Sequence, residues 1–516
     1  MLDLGTSFLG SVARDPNALA IVDGGVRFTY SEWYRRISAL VASFDALKLK
    51  PGDHLVTVLQ NNWQAATIHW ACQFAGIIIT PLNWRCTADE LDYCLENAEA
   101  KALVYEGVSA EAVKASKLAG TMPRIAVGLA ADTTFETLVA SASTDTVAPR
   151  ADAEAWSVML YTSGTTAKPK GVPRRQRAER AAALAQVAQN LYRTGERTLG
   201  VMPLYHTMGV RSLLAMSLIG GAFICLPRFD IIRALELIGK EKVTNLYLVP
   251  TLYHDLVHHE RFKESDVSSV RKLGFAGASM TDGLLKELAA AFKPELFVNH
   301  YGSSEIYTFT IDQKAPNKPG SAGRAGINQM VRVVKLGASS PDEIARSGEE
   351  GEIIALLQGD ESFEGYWRRP EADAKAIRHG WYFTGDTGYF DADGDLFVTG
   401  RVDDMIITGG ENVSPVEIES CLSLHEAVSE VAVVGLPDER WGKIVTAFIK
   451  RNAPVDERTL GEFCRASGLA NFKRPRRYVF VEAIPKSPVG KLLRRMLVAG
   501  DYQPEKNAPR SQGTAA

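Results

Sequence analysis

Disulfide frameworks, bilayer spans and nucleic-acid-binding charge are all missing from this chain. Its 516 residues include six cysteines (Cys72, Cys86, Cys94, Cys225, Cys421, Cys464) and no CxxC pair, so neither a zinc site nor a disulfide scaffold is signalled. Reduced thiols, mostly in the core, are the simplest reading. The longest apolar stretch, Leu213 to Leu226, is too short to cross a bilayer and is interrupted by Gly220-Gly221. It reads as a helix followed by a core strand. Met1-Leu2-Asp3-Leu4-Gly5 lacks the basic-then-apolar pattern of a secretory leader. A formal net charge of −3 gives no footprint for nucleic acid or an acidic membrane. A soluble, cytoplasmic protein is expected, with no nucleic-acid and no membrane partner. Internal repeats are absent too.

What is present looks enzymatic. Hydrophobic residues make up 46% and charged residues 23%, ordinary for a globular protein, and the length exceeds one core, so two or more domains are expected. The most informative segment is Tyr161-Thr162-Ser163-Gly164-Thr165-Thr166-Ala167-Lys168-Pro169-Lys170-Gly171, which follows the apolar strand-like run Ser157-Val158-Met159-Leu160. Gly164 frees backbone N–H groups, four hydroxyls follow from Thr162, Ser163, Thr165 and Thr166, and Lys168 and Lys170 add ammonium groups. Amides and hydroxyls bind polyphosphate oxygens while lysines offset the charge. A solvated polar turn is the plain alternative; the density and order of these groups decide against it. A Walker loop, GxxxxGK[ST], is excluded because Pro169 and Gly171 stand where it needs glycine and Ser or Thr.

Strand and helix signals alternate beyond the loop. Arg177 to Arg193 reads as helix, Thr198 to Pro203 as strand, Ile231 to Lys240 as helix and Val243 to Val249 as a strand closed by Pro250. Arg271 to Phe275, Gly283 to Phe292 and Leu296 to His300 continue the alternation, and Leu55 to Leu59 and Ala102 to Tyr105 are strands upstream. This predicts an α/β fold of stacked parallel or mixed sheets with helices on their faces. After residue 400 the texture changes to a small α+β unit: helix from Pro415 to Leu424, strands at Val428–Val434, Ile444–Ile449 and Arg477–Val481, and helix from Thr459 to Arg465. The polar tail 502–516 is expected to be disordered.

The loop segment resembles the signature of the adenylate-forming superfamily, which includes acyl-CoA synthetases, luciferases and peptide-synthetase adenylation domains. Ala167 departs from it, standing where glycine is usual; if that position needs positive φ, alanine costs roughly 1 kcal/mol or more. Further segments match in order from about residue 80 to 495. The resemblance implies a large AMP-binding domain over 1–400, a small mobile C-terminal domain over 401–516, and a hinge near Asp403. Asn299-His300-Tyr301-Gly302-Ser303-Ser304-Glu305 stands at a strand end, where open α/β sheets bind ligands. By resemblance Asn299, Tyr301, Gly302, Ser303 and Ser304 contact the nucleotide, and Glu305 with Thr162 ligates Mg²⁺, a hard cation suited to oxygen donors. Ser163, Gly164, Thr165, Thr166 and Lys170 would cradle the ATP phosphates, and Gly277-Ala278-Ser279 would border the nucleotide. Asp386, in Trp381-Tyr382-Phe383-Thr384-Gly385-Asp386, would take both ribose hydroxyls with help from Arg401. Lys491 matches the mobile catalytic lysine, a cation for the charge developing between carboxylate and α-phosphate. Pro203-Leu204-Tyr205-His206 resembles the family segment whose histidine borders the carboxylate pocket, and by that resemblance His206 would join Lys491 and Glu305 as catalytic.

Gly400-Arg401-Val402-Asp403-Asp404-Met405-Ile406-Ile407, Arg440-Trp441-Gly442, Phe472-Lys473-Arg474-Pro475-Arg476-Arg477-Tyr478 and Lys491-Leu492-Leu493-Arg494-Arg495 are most similar to bacterial aryl-acid CoA ligases of the chlorobenzoate type. That likeness implies an acid pocket of His206, Tyr247, Ala278, His300 and Tyr307, whose polar groups suit a small aromatic or heteroaromatic acid with a polar ring atom or hydroxyl. It implies a coenzyme A site from Arg85, Gly409, Gly410, Trp441, Phe472, Arg474 and Arg476. Amino-acid-activating relatives carry an aspartate within the segment matching Pro203–Gly209, and this chain has none. The expected enzyme is an ATP- and Mg²⁺-dependent acid–thiol ligase using coenzyme A as co-substrate. A short- or medium-chain fatty acyl-CoA synthetase, delivery to a carrier-protein thiol, and a nucleotide-binding protein without turnover stay open, as do the natural acid and the oligomeric state, with a homodimer among the candidates.

Overall fold

The structure, a computed structural model, describes residues 1–141, 145–162, 168–409, 411–486 and 492–506. Ser163, Gly164, Thr165, Thr166 and Ala167 of the phosphate loop, Gly410 and Lys491 lie outside the described residues, as does the side chain of Asp403.

Two sheets build the large N-terminal unit. One has six strands in the order Arg124–Val127, Ala102–Glu106, His54–Val58, Ile78–Pro81, Trp156–Thr162 and Lys170–Arg175, parallel except for the last pair. The other contains a parallel run of Leu296–Tyr301, Lys272–Phe275, Asn245–Leu248, Arg197–Gly200, Ala222–Cys225 and Leu19–Asp23. From Thr310–Asp312 onward this sheet continues antiparallel through Ser321–Ala325, Leu396–Arg401, Trp381–Phe390, Gly351–Leu356 and Val331–Lys335. The parallel strands are short and almost wholly apolar because helices cover both faces. Helices start where the local chemistry asks: Thr29 and Glu32 form a capping box for Tyr30–Ala46, and Thr87 and Glu90 one for Ala88–Ala98. Val243 to Val249 is shorter than expected as a strand, Asn245–Leu248, because Pro250 opens a helix, Pro250–Val257, rather than merely ending the strand.

The small unit pairs Val428–Asp438 with Gly442–Arg451 antiparallel, and the latter with Arg477–Phe480 parallel. Helices Pro415–Ser423 and Glu457–Ala466 pack on it around Ile418, Leu422, Val433, Ala447 and Leu460. The expected disorder of the tail is corrected for residues 502–506. The Tyr502 ring packs edge-on to Phe448 at 4.9 Å, Glu505 pairs with Arg451 at 2.8 Å, and Pro504 bridges to Val481. One aromatic ring and one carboxylate hold a segment whose composition reads as unstructured. All six cysteines are free thiols, four of them buried, as expected. Among the described residues no helix is long and apolar enough to cross a membrane.

Three buried histidines are held neutral. His54 shares Nδ1 with Thr80 Oγ1 at 2.9 Å, and burial, with Arg368 nearby, pushes it down to about 4. Neither ring nitrogen of His69 has a partner, and burial pushes it down to about 3. His300 is likewise held well below its ordinary value by burial and by Arg211. Each protonates more readily when unfolded, so its contribution to stability is full above pH of about 6.5 and is lost as pH falls toward the folded value, at roughly 1.4 kcal/mol per pH unit per group. Urea stability measured from pH 7 to pH 4.5 should therefore fall, and His69→Leu should reduce the slope by about one proton's worth. Equal slopes for the two proteins would refute the neutral assignment.

Candidate active site

The Leu296–Tyr301 strand delivers its chain into a tight corner. A Cβ on Gly302 would lie 2.1 Å from the Tyr307 carbonyl oxygen, so only glycine lets the chain fold back there. Ser303 Oγ accepts from the N–H groups of Glu305 at 3.2 Å and Ile306 at 3.4 Å, fixing the turn. Glu305 is 6% exposed, and its Oε1 accepts the Tyr366 hydroxyl at 2.7 Å, with the Tyr382 hydroxyl 3.4 Å from that of Tyr366. From beneath, Arg174 Nη1 donates to the carbonyls of Glu305 at 3.2 Å and Ser304 at 3.5 Å. Arg174 is itself fully buried, ion-paired with Glu179, with its guanidinium 3.7 Å from the Tyr307 ring centroid.

Lys170 meets this corner from the six-stranded sheet. It pairs in register with Thr162, and its Nζ lies 4.1 Å from the Tyr366 ring centroid. Burial pushes the ammonium below its ordinary value while the Glu305 carboxylate pulls the other way. Lys168 diverges, sitting 5.3 Å from the Tyr93 ring, whose hydroxyl donates to the Pro169 carbonyl at 2.9 Å. Glu305 Oε2 makes no hydrogen bond among the described residues, so one hard oxygen remains, a donor that fits a magnesium-like cation.

Four residues before Glu305, the Tyr301 hydroxyl donates to Asp386 Oδ2 at 2.7 Å, and Arg401 Nη1 lies 2.9 Å from Asp386 Oδ1. Asp386 and Arg401 oppose each other across neighbouring strands. Burial, then the Asp386 charge, raise the Tyr301 phenol well above its ordinary value, so it stays a donor. Asn299 serves the framework, donating to the Ser321 carbonyl at 2.7 Å. Gly277, Ala278 and Ser279 follow the end of the Lys272–Phe275 strand at the surface, Ala278 half-buried between two exposed neighbours.

His206 caps the Thr207–Leu218 helix, its Nδ1 accepting from Met208 N–H at 3.3 Å, which leaves Nε2 protonated. Tyr247 and Tyr307 are buried, and His300 packs edge-on to Tyr247 at 5.1 Å with Nε2 3.1 Å from Asn190 Oδ1. In the small unit, a Cβ on Gly409 (φ +58) would meet the Trp441 indole at 2.7 Å, and Gly409 N–H donates to the Trp441 carbonyl at 3.0 Å. The Arg476 guanidinium lies 4.3 Å from the Trp441 ring centroid, and Phe472 is 39% exposed. Arg474 is partly committed, donating to the Leu469 carbonyl at 2.8 Å. Arg85 belongs to the large unit, 3.6 Å over Trp84, beside a cleft also lined by Met202, Pro203, Arg228 and Phe229. Tyr366 and Arg174 escaped sequence reasoning. Tyr366 has no local signal and lies 61 residues from Glu305, while Arg174 is hidden in a basic run that reads as solvated.

Among the described residues one further acidic group could share an ion: Asp391, Asp393 and Asp395. Lys318 Nζ already sits among them, at 2.5, 2.8 and 2.7 Å.

With this geometry, comparison with known proteins is informative. The AMP-binding enzyme family model matches residues 8–367, and the AMP-binding enzyme C-terminal domain model matches residues 417–491. The chain is 34% identical to a 4-chlorobenzoate–CoA ligase of Arthrobacter sp. over 94% of its own length and 93% of the relative's. It is 32% identical to the long-chain-fatty-acid–CoA ligase FadD13 of Mycobacterium tuberculosis, covering 92% of this chain and 93% of that one. Among solved structures, ATP-bound MatB from Rhodopseudomonas palustris superposes with a TM-score of 0.87 at 28% identity, over 97% of this chain and 99% of the other.

Breaking the pair beneath the corner should be costly, because the surviving charge cannot reach water. Glu179→Gln should lower urea stability by about 3–5 kcal/mol. A loss below about 1 kcal/mol, the value of an exposed pair, would show that Arg174 is not held as described.

Proposed function

Because the chain belongs to the AMP-binding enzyme family and is an acid–thiol ligase, we propose that it joins a small aromatic or heteroaromatic acid to coenzyme A through an acyl-adenylate. One observation carries the reading: Tyr301 and Glu305, four residues apart, hold the Asp386–Arg401 group on one side and the Tyr366–Lys170 group on the other. The first group is chemically suited to a ribose, whose two hydroxyls a carboxylate can accept. The second suits a polyphosphate, with the Glu305 carboxylate and Thr162 hydroxyl as the residues that would hold Mg²⁺. Such a cation, when bound, neutralises phosphate charge.

In the first half-reaction a carboxylate oxygen forms a bond to the α-phosphorus and the bond to pyrophosphate breaks. Lys170 and the hydroxyls of the 163–166 segment bind the phosphates, with Gly277, Ala278, Ser279, Ser303 and Ser304 along the nucleotide. His206 presents its Nε2–H toward the acid and orients its carboxylate. Lys491 would swing in from the small unit, pivoting near Asp403, to stabilise the charge shared by the carboxylate and α-phosphate. In the second half-reaction the coenzyme A thiolate attacks the acyl carbon and AMP leaves. Arg476, Arg474 and Arg85 would take its phosphates, Trp441 and Phe472 its adenine, and the Gly409–Gly410 backbone its pantetheine arm. ATP and coenzyme A are cytoplasmic metabolites, and a cytoplasmic enzyme follows from this reading.

The preference for an aromatic acid rests on the polar equipment of the pocket: His206, His300, Tyr247 and Tyr307 exceed what an alkyl chain can use. Pyrophosphate release measured over a panel of aromatic and fatty acids should favour aromatic ones, and a preference for long-chain acids would overturn this choice. Lys491→Ala should slow adenylate formation by about 10²–10³-fold while largely sparing thioester formation from supplied acyl-AMP. Equal damage to both halves would contradict the division of labour. Trp441→Ala should raise the KM for coenzyme A by about tenfold, the loss of one stacked base, and leave pyrophosphate exchange untouched.

A further inference from the structure

Arg211 is a buried cation that the reaction as described leaves without work. It lies on the Thr207–Leu218 helix that His206 caps and is 2% exposed. Nη1 donates to the Tyr307 carbonyl at 3.1 Å, whereas Nε and Nη2 are buried with no hydrogen-bond partner among the described residues. The guanidinium carbon is 6.0 Å from the ring centroids of both Tyr247 and Tyr307, and its charge bears on His300. It therefore stands among three of the five residues assigned to the acid pocket. Arg174, the other fully buried arginine of this region, differs in degree: it engages the Glu179 carboxylate and two carbonyls, and only its Nη2 is without a partner among the described residues.

A guanidinium in such a place demands an acceptor. Burying a donor without a partner costs about 1–3 kcal/mol, and more when it is charged. The carboxylate within electrostatic reach of Arg211 is Glu361, which is buried; its Oε1 takes the Asn328 amide at 3.0 Å, and its Oε2, like the Arg211 fork, makes no hydrogen bond among the described residues. Burial pushes the Glu361 carboxyl above its usual range, while the Arg211 charge pulls it the other way. Nε and Nη2 form the side-on fork of the guanidinium, two parallel N–H groups matched to one carboxylate or one strongly accepting oxygen. Beside them His300 Nδ1 also lacks a partner, while Nε2 is held by Asn190.

We propose that Arg211 determines specificity, its spare fork receiving an oxygen acceptor carried by the substrate ring at the end remote from the carboxylate that is activated. A second carboxylate, a carbonyl and a hydroxyl share that chemistry, and the bidentate geometry suits the carboxylate best. This rests on the aryl-acid reading above. An unsubstituted ring would leave the fork buried and empty, which is the kind of loss that lets a site reject an analogue lacking the group it was built to bind.

The test is pyrophosphate release by the full-length enzyme with ATP, comparing benzoate with 3- and 4-hydroxybenzoate, 4-acetylbenzoate and the benzene 1,3- and 1,4-dicarboxylates. Wild type should use at least one acceptor-bearing acid about tenfold or more better than benzoate in kcat/KM, and the preferred member identifies the acceptor. Arg211→Met should lose at least about tenfold more on that acid than on benzoate, chiefly in KM, and Arg211→Lys should recover part of the difference. If Arg211→Met fails to fold because Glu361 is left alone, the double variant Arg211→Met/Glu361→Gln removes both charges and should show the same selective loss. No wild-type preference for any acceptor-bearing acid, or equal proportional loss on all acids, overturns the proposal. Activation of fatty acids alone would overturn the aryl reading and this inference with it, whereas aryl acids activated without discrimination overturn only the inference.

Discussion

The Arg174–Glu179 ion pair is the constraint on which the catalytic corner depends. Two charges are taken wholly out of water, a cost that attraction alone offsets only when the remaining hydrogen-bond donors also find acceptors. Nη1 finds its acceptors in the carbonyls of Ser304 and Glu305, so holding the arginine and shaping the loop are linked, while Nη2 has no partner among the described residues. Above the loop, Tyr366 holds one oxygen of Glu305, and the same tyrosine ring lies 4.1 Å from Lys170 Nζ. A carboxylate held this way is preorganised, and fixed dipoles and charges are what make low-dielectric sites effective.

The legibility of this molecule in its sequence tracks how local each signal is. The 161–171 segment and the Tyr301–Glu305 run carry dense local signals, several chemically matched groups standing within about ten residues, each just past an apolar strand. The parallel strands and their helices were readable for a similar reason: continuous apolar runs alternate with amphipathic ones. Arg174 was not, since its burial comes from a partner on the following helix and from carbonyls 130 residues away. Tyr366 and Arg211 pose the same difficulty, their meaning set by contacts with Glu305 and with Tyr307. The antiparallel strands between Thr310 and Arg401 left little trace because several are short and half-exposed, without sustained alternation. The segment 502–506 was misread because one ring and one carboxylate outweighed a polar composition.

The two units divide the chemistry. Under the proposed function, the acid contacts and most of the nucleotide contacts come from the large unit, with Lys491 supplied by the small one. The cations and rings assigned to coenzyme A stand mostly on the small unit, where Trp441 is locked against Gly409 and overlaid by Arg476. Among the described residues the small unit meets the large one through Ser414 on the Thr399 carbonyl and through the Pro415–Ser423 helix against the Leu396–Arg401 strand and the Asp282–Phe292 helix, among other contacts.

Lys318 has a consequence for any study of ion dependence. The Asp391-Ala392-Asp393-Gly394-Asp395 hairpin has the alternating acids of a calcium loop, yet an ammonium occupies the position a cation would take. The hydrogen bonds that its ammonium donates to Asp391, Asp393 and Asp395 hold that lysine well above its ordinary value, so it stays charged throughout the working pH range. The turn thus carries its own counter-ion, covalently attached and immune to chelators. This hairpin can therefore serve as an internal reference that stays silent when divalent ions are removed.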